Sequence, residues 1–158
     1  MDRINNILQH NQYKKLMNEI KELEKTRIYC KHGLGHCFDV ARIGLIIAHE
    51  QHINIDKELI YAAALLHDIG RAVQEDDVPH QKHSIRYAYD ILNDCGFDKS
   101  EINEILHAID SHNSNKSKAV GLQYILYRAD KLSRNCFDCK ARETCYWPET
   151  EKNKGVIY

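Results

Sequence analysis

The stretch YAAALLHDIG, residues 61–70, constrains the fold more than any other part of the chain. Five small or aliphatic side chains, Ala62 to Leu66, run directly into a histidine and an aspartate. An apolar run of this kind heads into a core, where a charged group is expensive unless it is paired or bound to metal. His67 and Asp68 therefore need partners, and the fold must deliver them from elsewhere in the chain. Asp56 is placed to N-cap this helix, whose inward positions are Leu59, Ala63, Leu66 and His67, and Gly70 is placed to end it.

Helical spacing recurs along nearly the whole sequence. The only prolines are Pro79 and Pro148, and no segment sustains strict alternation of apolar and polar residues, so an all-α fold is expected. Residues 2–25 carry Ile4, Ile7, Leu8, Tyr13, Leu16, Met17, Ile20 and Leu23 mostly on one face, with a break near Asn11. After the looser KHGLGH segment, a helix of about 15 residues carries Val40, Ile43 and Ile47, and His36 extends that stripe by one turn. Beyond the polar loop RAVQEDDVP, Pro79 suits the start of a helix with Ser84, Ala88, Ile91, Leu92 and Cys95 inward, stopped by Gly96; His80 shares that face. Asp98 and Glu101 form a capping box for a helix carrying Ile102, Ile105, Leu106 and Ile109, a stripe continued by His112. SHNSNKSK reads as a loop, and a last helix over 119–134 turns Leu122, Ile125, Leu126, Ala129 and Asp130 inward.

His36, His67, His80, His112 and Asp130 thus lie on the apolar faces of five different helices, with Asp68 beside one of them. Taken singly, each is well explained as a core histidine bonded to a backbone carbonyl or an aspartate capping a neighbour. Six together would be badly destabilising if half satisfied, whereas a divalent metal neutralises the carboxylates and takes each imidazole as a ligand. Four imidazoles and two carboxylates exceed what one tetrahedral zinc needs. They suit two adjacent metals bridged by Asp68, with iron, manganese or zinc all compatible. Two such metals can activate a hydroxide and offset charge on a phosphoryl group, so hydrolysis needs no protein nucleophile.

Composition narrows the class. The chain of 158 residues makes one domain with a sizeable core, and 22 Lys plus Arg against 23 Asp plus Glu give no general reason to expect a nucleic-acid polymer or an anionic membrane as partner. No segment reaches the roughly 20 apolar residues needed to span a bilayer, and no signal-peptide core is evident, so a cytoplasmic location is expected. Six cysteines in that setting are reduced thiols or metal ligands rather than a disulfide framework.

The ordered set of HCFDVARI, AALLHDIG, HQKHSIRYAYDIL, AIDSHNSN and ILYRADKL resembles the HD-domain metal-dependent phosphohydrolases over about residues 36–132. The resemblance implies a single-domain HD-type helical bundle with its metal site in the core. It also implies that His36, His67, Asp68 and Asp130 bind one metal, while Asp68, His80 and His112 serve the second. The six-ligand form most resembles small bacterial HD hydrolases that cleave diadenosine tetraphosphate and related nucleotides at a di-iron centre, which makes iron the favoured metal and a phosphorylated, nucleotide-like small molecule the favoured substrate. HDIGR lacks the acidic pair of guanosine polyphosphate hydrolases, and no second glycine-tyrosine-proline motif marks a cyclic di-guanylate phosphodiesterase. The expected organisation is an N-terminal helical packing arm over 1–25, the HD hydrolase domain over 26–134 and a cysteine-containing tail over 135–158; a homodimer is compatible with it.

Around the site, Asp68, Arg71, His83 and Lys131 are the candidate catalytic residues. Arg71 and Lys131 could bind substrate phosphate or be ordinary surface charges. His83, one turn from His80, could donate a proton to the leaving group or replace His80 as ligand; the register of Ser84, Ala88 and Leu92 favours His80 as the ligand. His32 and Asp39 stand at helical distances from His36 and could orient it. His10, His49, His52 and His107 have no partner in the pattern. In the tail, Cys136, Cys139 and Cys145 have spacing suited to an additional zinc or iron–sulfur site, with a fourth ligand from Cys30, Cys37 or Cys95, or they pack as small hydrophobes on a helical face. Trp147 covers an edge of the core or stacks on a base, and the residues after it are expected to be loosely ordered. Two rival readings stay open beside hydrolysis: an HD-fold di-iron oxygenase, and a non-catalytic domain that binds a nucleotide or senses redox state.

Overall fold

The computed structural model describes residues 1–74, 77–112 and 120–158. Its described residues form seven α-helices and two short 3₁₀ turns, with no strand: α1 (Asp2–Gln9), α2 (Asn11–Leu23), α3 (Leu34–Glu50), α4 (Lys57–Leu66), a turn at Ile69–Ala72, α5 (His80–Asp94), α6 (Lys99–Ser111), α7 (Gly121–Leu132) and a turn at Cys136–Asp138. The expected break in the first helical stretch falls at His10, whose Nδ1 accepts from the backbone N–H of Gln12 and so starts α2 afresh. Asp56 caps α4 by accepting from Glu58 N, and Asp98 with Glu101 closes a complete capping box on α6. α7 is shorter than the span 119–134 expected of it, and the SHNSNKSK loop lies outside the described residues from position 113 onward.

α4 is the central helix. From Ala62 to Leu66 every residue is 0 % exposed, because α1, α3, α5, α6 and α7 all pack against it. A helix surrounded in this way must be apolar on all faces, and three successive alanines let neighbouring helices approach from several sides. The N-terminal arm belongs to the same core: Ile4, Ile7, Tyr13 and Leu16 join the central hydrophobic cluster. Arg3 pins α1 across the N-terminal ends of α4 and α6, with Nε 2.7 Å from Glu58 and Nη1 2.6 Å from Glu101.

Two features outside the helices hold their ends. Gly70, expected to turn the chain, does so under severe crowding: a Cβ there would come within 2.0 Å of His80 O and 2.4 Å of Ser84 N. Its own N–H donates to Ser84 Oγ at 2.9 Å, locking the turn against the first turn of α5. The residues after Trp147, expected to be loosely ordered, are instead tied back to α7. The Asn153 side-chain amide donates to the carbonyls of Lys131 (2.9 Å) and Arg134 (2.7 Å), satisfying the open end of that helix, and the buried Lys152 bonds Arg142 O (2.9 Å) and Glu149 (2.6 Å).

Since the atoms facing Gly70 are backbone, Gly70→Ala can be accommodated only by moving α5 away, at a cost of about 3 kcal/mol. We expect its melting temperature to fall by about 6–12 °C. Gly35→Ala, with nothing within 4 Å of the added carbon, should leave the melt unchanged or slightly raised; thermal unfolding of the two variants side by side checks this.

Candidate metal centre

The histidine and aspartate side chains meet where helices end rather than along their middles. His36 is in the first turn of α3 and His80 opens α5, while His67 and His112 are the C-terminal caps of α4 and α6 and Asp130 sits in the last turn of α7. The apolar stripes that brought these residues to notice continue one turn past the packed segment. Three C-terminal ends, where carbonyls are unsatisfied, thus point at one place, an arrangement that favours bound cations.

Asp68 is at the centre. His67 Nε2 lies 3.2 Å and His36 Nε2 3.9 Å from its Oδ2; on the other oxygen, Oδ1, His80 Nε2 lies at 3.1 Å and His112 Nε2 at 3.7 Å. His36, His67 and Asp68 form one group whose ligand atoms could hold a metal ion, and Asp68, His80 and His112 form a second, so Asp68 is common to both. Asp130 Oδ1 joins the first group at 3.4 Å from His36 Nε2 and 3.9 Å from His67 Nε2.

The outer contacts set the tautomers. His67 Nδ1 is 2.8 Å from Ala64 O and His112 Nδ1 is 2.6 Å from Ile109 O. A carbonyl only accepts, so each Nδ1 carries the proton and each Nε2 presents its lone pair to the site. Ser133 donates to Asp130 O (2.8 Å), which leaves its oxygen to accept from His36 Nδ1 at 3.3 Å and orients that ring the same way. The carboxylate side shows the complementary need. Asp68 Oδ1 is buried without a well-aligned hydrogen bond among the described residues, and Arg71 Nε, although 2.8 Å away, is not aimed at it. A buried carboxylate oxygen faced by imidazole lone pairs fits a divalent cation.

Electrostatics agree. Burial works against ionisation of Asp68, yet the positive charge that protons on His67, His112 and His80 bring to this spot, as a bound cation would, outweighs it and holds the carboxyl well below its usual range. Asp130 is depressed likewise, burial being overcome by His36, His67 and Lys131. For His67, burial lowers its affinity for a proton, but Asp68 and Asp130 more than reverse this. His80 goes the other way, because burial, joined by Arg71 and His112, outweighs Asp68.

Over the centre lies a pocket of about 190 Å³, lined by His32, His36, Asp68, His80, His112 and Asp130, by Cys30 and Cys145, and by Arg27, Arg71, Lys131 and Arg134 together with Tyr29, Tyr146 and Trp147. Trp147 serves as a platform for cations: Arg134 lies 3.9 Å and Lys131 4.9 Å from its ring centroid. Both cations also reach Asp130 Oδ2, at 3.5 Å and 3.1 Å. His83 is placed differently from His80: it is buried with its Cβ against the Gly70 turn, and His80 lines the pocket where His83 does not. Asp39 is exposed and lines a second cavity, which shares His36 with the first and also receives Cys136, Cys139 and Cys145.

Sequence reasoning gave His32 only a minor place and missed Glu24. The His32 ring is buried, with Nε2 3.8 Å from Asp68 Oδ2 and Nδ1 bonded to the Glu24 carboxylate, which also accepts the His32 backbone N–H at 2.7 Å. Glu24 follows directly on α2, so the arm supplies one anchor of the site. Its polar position after Leu23 carried no periodic signal. Arg27, Arg134 and the cation-holding role of Trp147 were equally silent, being set by contacts between distant segments.

A family model for the HD domain matches residues 33–135. The chain belongs to the HD domain family. HD domains bind divalent metals, and the family is one of metal-dependent phosphohydrolases, which agrees with the histidine and aspartate groups assembled here. The chain is 40% identical over 159 residues to an uncharacterized protein of Clostridium beijerinckii, covering 100% of both chains. It is 26% identical over 125 residues to Ribonuclease Y of Acetivibrio thermocellus, and 31% identical over 125 residues to Ribonuclease Y of Borreliella burgdorferi. Each of these two matches covers 78% of this chain but only 22% and 23%, respectively, of the relative's length. No solved structure matches. No helix among the described residues is long and apolar enough to cross a membrane.

The Glu24–His32 contact yields a pH prediction. Burial raises the Glu24 carboxyl, but the hydrogen bonds from His32 outweigh it, helped by Arg27, and the net shift is downward. A depressed carboxyl contributes stability that is fully present above its unfolded value, about 4.3, and that is lost as pH falls through the folded value. Glu24→Gln should therefore lower the melting temperature by about 2–8 °C at neutral pH, for a charged hydrogen bond of about 1–2 kcal/mol. The gap from the parent should shrink as pH drops below the glutamate range; melts across that range that stay a constant distance apart would contradict this.

Proposed function

We propose that this HD domain is a metal-dependent phosphohydrolase that cleaves a phosphate ester or anhydride bond of a nucleotide-like substrate. In this reading His36, His67, Asp68 and Asp130 hold one divalent ion and Asp68, His80 and His112 the other, with iron favoured. The observation that carries it is the pocket of about 190 Å³, which sets four cations, Arg27, Arg71, Lys131 and Arg134, around the histidine and aspartate groups. When bound, the ions lower the pKa of a water molecule and offset charge developing on the phosphoryl oxygens.

The chain's own residues do the rest. Arg71, beside Asp68, and Arg134, beside Asp130, hold the phosphoryl oxygens, where guanidinium groups give direction as well as charge. Lys131 and Arg134 are kept in place by the Trp147 face and by Asp130. The volume suits a phosphoryl group with part of its sugar and is smaller than the roughly 300 Å³ at which sites for whole drug-sized ligands begin. The rest of the substrate then lies over Tyr146 at the pocket rim, and the dinucleotide specificity of the diadenosine tetraphosphate hydrolases is not the favoured one. His32 in its imidazolium form is the candidate proton donor to the leaving oxygen: Nδ1–H is held by the Glu24 carboxylate, and Nε2–H is turned towards the site.

A panel of nucleoside monophosphates, nucleoside polyphosphates and dinucleoside polyphosphates, assayed with ferrous, manganous and zinc ions, tests the reading. The relatives named Ribonuclease Y motivate one further arm, a short oligoribonucleotide; cleavage there and nowhere else would replace the small-molecule substrate by RNA. We expect Asp68→Ala to reduce phosphate release by at least ~10³-fold together with metal content. His32→Gln should lower kcat by about 10²-fold with metal content unchanged. Arg134→Ala should raise KM by about tenfold. Full turnover by metal-loaded Asp68→Ala protein would refute the assignment.

A further inference from the structure

Cys30, Cys136, Cys139 and Cys145 line one cavity of about 340 Å³, although Cys30 lies in the connection between α2 and α3, more than 100 residues before the others. Cys37 and Cys95, the other two cysteines, are buried in the hydrophobic core. Two contacts beside the cysteines join the distant segments: Tyr29 donates to Thr144 O at 3.2 Å, and the Tyr29 and Tyr146 rings meet edge to face at 6.2 Å. All six thiols are free. Burial pushes the Cys30 thiol up; Arg134 opposes this, while the nearby Cys136, Cys139 and Cys145 add to it.

The tail that carries three of them has little else to shape it. Of residues 135–158 only Ala141 and Lys152 are buried, so apolar burial cannot hold its turns. Small loop-rich segments of this kind depend on a covalent or metal staple. Its carbonyls are gathered around the cavity, Cys136 O by Arg142 at 3.1 Å and Arg142 O by Lys152 at 2.9 Å.

We infer that Cys30, Cys136, Cys139 and Cys145 ligate an iron–sulfur cluster next to the histidine and aspartate site. Four thiolates are the ligand set of such clusters. The spacing of the sulfurs favours a cluster over a single zinc ion. Zinc–sulfur bonds of about 2.3 Å in a tetrahedron bring sulfurs to about 3.8 Å from one another, whereas no three of these sulfurs lie mutually within 4.8 Å. Separated sulfurs around a cavity suit a polynuclear core in which each thiolate binds a different part. Lys31, Arg134, Arg142 and Lys152 line the same cavity against Asp39 and Asp138, and this local excess of cations offsets part of the negative charge that four thiolates bring. Nothing in this inference depends on the hydrolytic reading of the neighbouring site.

The test uses the whole chain, purified without oxygen and reconstituted with ferrous iron and sulfide. Acid-labile sulfide is the deciding readout, because iron held by histidine and aspartate contains none. We expect stoichiometric labile sulfide and a broad visible absorption bleached by dithionite. Cys30→Ser and Cys139→Ser should each lose sulfide at least tenfold, and Cys95→Ala should retain it. Should the serine variants not fold, the reconstituted parent still decides: the four cavity thiols should be protected from iodoacetamide at least tenfold relative to the chelator-treated chain. Absence of labile sulfide, one zinc bound by these cysteines instead, a disulfide between any two of them after anaerobic handling, or equal alkylation with and without reconstitution would each overturn the inference.

Discussion

One buried carboxylate organises this molecule. Asp68 stands at the end of the most deeply buried helix with imidazoles on both of its oxygens, and each imidazole is delivered by a different segment. A carboxylate in that position cannot be left alone, because an uncompensated buried charge costs several kcal/mol. The helices that supply compensation must therefore end at the same point, which fixes where α3 and α5 begin and where α4, α6 and α7 stop. Packing of α4 by its neighbours and convergence of their ends are a single geometric demand seen from two sides.

The turn after Asp68 shows how tight that demand is. Gly70 allows α5 to start almost in contact with the backbone of the preceding turn, and this closeness carries His80 to 3.1 Å from Asp68. At the opposite end of the site the tail acts on α7 in a comparable way: Asn153 closes the helix carbonyls, so the last turn holding Asp130 is kept from fraying. The site is thus braced by two segments outside the α-helices: the turn, which also buries Ile69 in the core, and the tail, which acts through hydrogen bonds rather than apolar burial.

Much of this was legible in the sequence where a local rule operates. Capping residues such as Asp56 and Asp98 announce helix starts within a few residues, and period-3.6 stripes mark which faces go inward; extended by one turn, those stripes reach His36, His67, His112 and Asp130. The choice between His80 and His83 also followed from register, since Ser84, Ala88 and Leu92 define the face. What stayed hidden was whatever depends on two distant segments meeting. Glu24 is one more polar residue at the end of an amphipathic helix until His32 folds back onto it. Arg134 and Trp147 have no pattern linking them, and Cys30 could not be preferred over Cys37 or Cys95 as companion to the tail cysteines. Order in the tail was underestimated for a related reason: polar composition predicts solvation, but side chains such as Asn153 and Lys152 find backbone carbonyls that no periodicity reveals.

Charge illustrates the difference between whole-chain and local reasoning. With 22 basic and 23 acidic residues the chain as a whole attracts neither anions nor cations, and composition speaks only to non-specific electrostatic binding. At the pocket the balance is different. Arg27, Arg71, Lys131 and Arg134 stand around two carboxylates, so cations exceed anions there even before any divalent ion is added. Because the pocket walls are protein rather than water, that local excess is screened much less than the same charges would be on the open surface. An anionic ligand is therefore drawn to this one place on a nearly neutral molecule. The aromatic face of Trp147, by keeping Lys131 and Arg134 from collapsing wholly onto Asp130, preserves the excess where an anion can use it.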